Sequence, residues 1–143
     1  MNINGICVKF SPSVRNLGDT LDSTLSLHQH VMNVCRVAYL ELMHINSIRN
    51  LLSVDAVKTL VCSLVLSRLG YCISLLVGLL QYLIKRLQGV HNAPARSILR
   101  TPRSKHISPP LQILHWLLFN RRTFHKVAAL SYFTFWLWPS ILV

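Results

Sequence analysis

Acidic residues are scarce in this chain, and past residue 55 there are none. The 143 residues hold four: Asp19, Asp22, Glu41 and Asp55. Lys9, Arg15, Arg36 and Arg49 balance them over the same stretch, so the whole formal charge of +11 falls after Asp55. No two carboxylates are adjacent. That excludes the paired-Asp site of two-metal polymerase chemistry, whose ions stand ~4 Å apart. Asp19 and Asp22 are three apart, and Asp22 reads better as a helix cap than as a metal ligand.

Other chemistry is missing as well. Cys7, Cys35, Cys62 and Cys72 form no C-x-x-C pair and sit among apolar residues. Buried reduced thiols are expected, not disulfides. The glycines form no phosphate-cradling loop. His28 and His30 are two apart and would point to different faces of a helix, so they share no metal. His44, His91, His106, His115 and His125 have no Cys or carboxylate at ligand spacing. No catalytic residue, metal, cofactor or small-molecule substrate is expected. The first residues, Met1 to Gly5, show no basic stretch leading into a long apolar run, which sets an intracellular location, nucleus or cytoplasm, as the expectation.

What remains is apolar and basic. Hydrophobic residues make up 52 % of the chain and charged ones 13 %, the latter about half the usual share. This length and composition suit one domain with a modest core. The acid-free part, with a pI of about 10.3 for the whole chain, favours polyanions: nucleic acid or anionic lipid. A solvated basic surface without a partner is the plain alternative.

Hydropathy alternates first and then steps by three and four. Ile6, Val8 and Phe10 predict a strand, Ser11-Pro12-Ser13 a turn, and Val14 to Leu21 a returning strand with a bulge or close approach at Gly18. Asp22 or Ser23 is expected to cap a long helix with a buried stripe of Leu27, Val31, Val34, Ala38, Leu42, Ile45, Ile48 and Leu52, bent near Ser47. Ser53 should cap the next helix, with Asp55 in its first turn. Val54 to Leu69, apolar on almost every side, is expected to be the central buried helix and to stop at Gly70. Leu80, Leu83, Ile84, Leu87 and Val90 mark another, kinked or ended by Pro94. Ser108-Pro109-Pro110 reads as a break, followed by short helices at 111–117 and 121–130. The aromatic residues from Tyr132 to Trp138 show no clear period. Residues 69–84 lack charge and 59–84 carry only Arg68. A membrane span needs about 20 apolar residues and resists a buried Arg, so a small basic membrane-associated protein is an alternative reading.

Several strings, taken in order, resemble the region downstream of the active site in reverse transcriptases of non-LTR (LINE-type) retrotransposons. They are Ser13-Val14-Arg15-Asn16-Leu17-Gly18 with Leu21-Asp22, Val34-Cys35-Arg36 through Tyr39-Leu40, and Ile45 through Arg49. Leu60-Val61 through Ser67-Arg68-Leu69 with Tyr71-Cys72 follows, then Leu87-Gln88 with Asn92 and Ala95-Arg96, then Leu114-His115-Trp116-Leu117 with Asn120-Arg121-Arg122. The chain departs from that family's pattern at Gly70, Ile73, Leu80, Pro94 and Leu118, so it resembles a degenerate C-terminal fragment. The resemblance implies a mainly α fold: a short N-terminal β-hairpin at 1–22 from the palm edge, a thumb-like bundle of five or six helices at 23–130, and an unaligned tail at 131–143. It implies a non-catalytic remnant with at most weak, sequence-nonspecific nucleic-acid binding to RNA or an RNA–DNA duplex. An inert open reading frame is the third reading.

The residues suggest where a nucleic acid would bind. Arg96, Arg100, Arg103 and Lys105 lie close in sequence around an expected helix end and the Thr101-Pro102 break. Their charges can converge without a long-range fold. Lys85 and Asn92 can share the same helix face. No aromatic residue stands between Leu83 and Gln112, so phosphate contact without base stacking is expected there.

Overall fold

Near Asp22, where alternation gives way to steps of three and four, strands give way to helices. The computed structural model describes residues 2–3, 6–7, 13–16, 19–24, 26–71 and 73–141. Strands β1 (Asn2–Ile3), β2 (Ile6–Cys7), β3 (Ser13–Asn16) and β4 (Asp19–Asp22) precede helices α1 (His28–Ile48), α2 (Val54–Leu60), α3 (Ser67–Gly70), α4 (Gln81–Leu99), α5 (Ser108–Ile113) and α6 (Phe119–Ile141). The chain is mainly helical, with a short β segment at its start.

The strand pairing differs from expectation. β1 pairs with β2, and β3 with β4 in a register that sets Asn16 opposite Asp19 and Ser13 opposite Asp22. Val14 to Leu21 is thus two strands joined by two residues, not one. Alternation alone cannot separate these cases. Gly18 itself lies outside the described residues.

Asp22 does not begin the helix. Its carboxylate accepts from the Thr24 hydroxyl at 2.9 Å, the Ser26 hydroxyl and the Leu27 N–H at 3.3 Å. The Ser26 hydroxyl, more than the other donors, holds the carboxyl at a pKa of about 2. Such local bonds compete with helix formation. Leu27 takes a left-handed φ of 55°, and α1 starts only at His28. The α1 stripe is His30, Val31, Cys35, Ala38, Leu42 and Ile45, and Ile48 is exposed where it was expected inside.

Ser53 caps α2 as its spacing predicts, accepting from the Ala56 N–H at 3.2 Å. The helical run continues through a wider π turn at Val61–Leu66 and ends with α3 at Gly70. Val57, Val61, Val65 and Leu69, four apart, are all buried, and the wide turn keeps that spacing on one face. The other side is open: Val54, Cys62 and Leu64 are exposed. This is therefore not the central helix, and Cys62 is an exposed thiol where a buried one was expected. Cys35 is buried and free.

The centre belongs to α4, which packs against α1, α2, the π turn, α5 and α6. Leu83, Leu87, Val90, Ala95 and Ile98 supply its apolar face. Pro94 was expected to kink or end this helix, and it does not end it: α4 runs through the proline. The proline removes one backbone donor, and its ring is buried within the core face, where packing offsets the loss. Pro109 and Pro110 start α5 instead of breaking the chain, because a first-turn residue has no N–H bond to lose. The last helix, α6, is longer than the 121–130 expected: it continues to Ile141 through the aromatic tail. Its Phe119 N–H is satisfied by Gln88 Oε1 of α4 at 2.7 Å.

Candidate nucleic-acid interface

Small residues at every fourth position of α4 open a groove beside α1. Gly89, Ala93 and Ser97 face Tyr39, Met43 and Asn46 across it. The loop Thr101-Pro102-Arg103 lies at one end, and the groove, open to solvent, has a volume of about 790 Å³. The helices are tied at that end. The Ser97 hydroxyl donates to Asn46 Oδ1, and the Arg49 guanidinium donates to the Ile98 carbonyl at 2.7 Å. Burial, and then the nearby Arg100, push the Arg49 pKa down.

The end of α4 builds the cationic rim. Arg100 adopts a left-handed φ of 50°, a conformation normally left to glycine. The Thr101 N–H returns to the Arg96 carbonyl at 3.0 Å. The Arg96 guanidinium donates to the Pro102 carbonyl at 2.6 Å, and the Lys105 N–H donates to the same oxygen at 3.2 Å. These bonds fold the loop back over the helix end. Arg96, Arg100 and Arg103 line one groove, and no acid is among the described residues that line it. Lys105 is exposed but does not line the groove. Neither does Lys85, although Asn92 does.

The contribution of α1 was not anticipated. Tyr39 is 44 % exposed, and its hydroxyl lies 3.7 Å from where a Cβ on Gly89 would stand. It lines the same groove as arginines far from it in sequence. The stripe Gly89–Ala93–Ser97 is the sequence signal that a close helix partner exists, though it does not name the partner.

Elsewhere, Glu41 faces Arg68 at 3.8 Å on the surface, and Lys126 donates to the Gly70 carbonyl at 2.7 Å. Among the described residues no three of His, Cys, Asp and Glu gather as a metal site. No helix among them is long and apolar enough to cross a membrane. The 59–84 stretch is divided by Gly70, a short 3-10 turn at Ile73–Leu76 and the start of α4. No family model, curated protein or solved structure matches the chain.

Proposed function

We propose that this chain binds nucleic-acid backbone phosphates, without sequence preference and without catalysis, through the groove between α1 and α4. The observation that carries the reading is the convergence of Arg96, Arg100 and Arg103 at one end of an acid-free groove. Cations so placed can each meet a phosphate and release its counterions. Backbone contact positions a duplex but does not read it. RNA or an RNA–DNA duplex is the partner in view, in keeping with the resemblance to a reverse-transcriptase thumb. The reading without catalysis rests on the sequence, in which no two carboxylates are adjacent.

A second reading, attachment to an anionic membrane surface, draws on α6, where Tyr132, Phe133, Phe135 and Trp136 are all exposed and Arg121 and Lys126 precede them. The two separate in one experiment. Titration of the purified chain into random-sequence RNA–DNA hybrid and into anionic vesicles should give salt-sensitive hybrid binding. Vesicle binding without hybrid binding would replace the first reading by the second.

A further inference from the structure

The cations of the groove stand at one end of it. Along α4 its wall is neutral from Gly89 to Ala93 and charged only from Arg96 onward, and α1 adds no charge. The two helices meet closely at the neutral end, where the Tyr39 hydroxyl lies 3.7 Å from the place of a Cβ on Gly89. The loop Thr101-Pro102-Arg103 stands at the other end. From residue 89 to residue 100 the helix advances about 16 Å, at roughly 1.5 Å per residue. A backbone laid along that length would set phosphates against neutral residues. Only a phosphate at the loop end meets arginine.

The arginines there exceed what the helix end needs. A helix C-terminus draws cations to its unpaired carbonyls. Those of Arg96 and Ile98 are already met, by the Thr101 N–H at 3.0 Å and by the Arg49 guanidinium at 2.7 Å. Among the described residues the Arg100 and Arg103 guanidiniums have no hydrogen-bond or carboxylate partner. Arg96 commits Nη1 to the Pro102 carbonyl at 2.6 Å and keeps Nη2. Three guanidiniums that line one space without a counter-charge repel one another, and an anion of more than one charge relieves that repulsion.

A diester inside a strand carries one charge. A phosphate monoester carries about −1.5 to −2 at pH 7 and offers three acceptor oxygens, which guanidinium forks grip in pairs. We infer that the loop end of the groove binds the terminal phosphate monoester of a nucleic-acid strand, through Arg100, Arg103 and the free Nη2 of Arg96. This rests on the phosphate-binding reading and adds a preference for phosphorylated strand ends to it. The preference involves no base, so it is indifferent to sequence.

The test uses the full chain and an RNA–DNA hybrid of arbitrary sequence with short single-stranded overhangs. Its ends are left as hydroxyls or phosphorylated at 5′ or at 3′, and affinity is read by fluorescence anisotropy. A terminal phosphate should tighten binding about tenfold, the scale of an added charge-assisted hydrogen bond. The end at which it does so, 5′ or 3′, names the source of the monoester. The methyl ester of the same terminal phosphate keeps its place but carries one charge, so its hybrid should bind nearly like the hydroxyl-ended one. Arg103→Gln should lose most of the gain while still binding the hydroxyl-ended hybrid. Adenosine monophosphate alone should not displace the phosphorylated hybrid at matching concentration, and if it does, the site belongs to a free nucleotide and the assignment to a strand end is wrong. Equal affinity for hydroxyl-ended and phosphorylated hybrids, or a full gain from the methyl ester, overturns the terminal site and leaves phosphate binding standing. No binding to any of them overturns both. The methyl-ester comparison alters only the ligand, so it decides the matter even if the variant fails to fold.

Discussion

The Arg96 guanidinium donates to the Pro102 carbonyl at 2.6 Å, so one arginine of the groove builds the loop on which another, Arg103, stands. The three cations are therefore not equivalent. Arg96→Ala should lower stability by about 1 kcal/mol, the scale of a solvent-accessible hydrogen bond. It should also speed hydrogen exchange at residues 103–105. Arg103→Gln should leave both unchanged and weaken nucleic-acid binding alone. Denaturant unfolding beside exchange measurements would check this, and loop protection that survives Arg96→Ala would show the bond to be incidental.

Arg100 carries a conformational cost along with its charge. Its φ of 50° disfavours an L side chain by about 1 kcal/mol or more, and glycine avoids that cost. Arg100→Gly is thus expected to raise the unfolding free energy by about 1 kcal/mol while lowering affinity for duplex. A variant that loses both stability and affinity would place Arg100 in the fold's support and remove it from the binding argument.

His91 makes stability depend on pH. It is fully buried on the inner face of α4, against the Trp116 and Phe119 rings at centroid distances of 5.6 and 6.5 Å. Neither ring nitrogen has a hydrogen-bond partner. Burial, and then Arg122, lower its pKa from 6.5 to about 4. The unfolded chain accordingly takes up a proton at higher pH than the folded one. This contribution is complete above about pH 6.5, is lost as pH falls toward 4, and is level below that. The loss amounts to about 3 kcal/mol. His91→Leu should flatten stability across this window without lowering it at neutral pH, because replacing an unpaired buried polar ring by an apolar group is close to neutral. Urea midpoints between pH 4 and 7 would test it, and a slope that persists in the variant would point to another group.

Much of the helical order was legible because its signals are local. Ser53 caps the start of a helical run that ends at Gly70, and Leu83, Leu87 and Val90 mark the face that α4 buries. The misreadings arose where tertiary packing or local polar bonds prevail. Pro94 stays helical because its surroundings hold it there, and Asp22 gathers three donors before the helix that it was expected to cap. The site divides in the same way. Arg96, Arg100 and Arg103 lie within eight residues around one helix end, so their meeting needed no long-range information. Tyr39 and Asn46 join them only through the packing of α1 on α4, which periodicity does not encode.

The most direct measurement is the salt dependence of binding to random-sequence duplex, for the wild-type chain and for Arg96→Gln/Arg100→Gln/Arg103→Gln. Each phosphate contact contributes a log–log slope of roughly 0.9 on B-form DNA. The triple variant is expected to bind more weakly and to show a slope flatter by up to about three such contacts. Lys85→Gln/Arg121→Gln, which removes two exposed charges outside the groove, should leave the slope nearly unchanged. An unaltered slope in the triple variant, or an equal flattening in the double one, would contradict the assignment of phosphate binding to this groove.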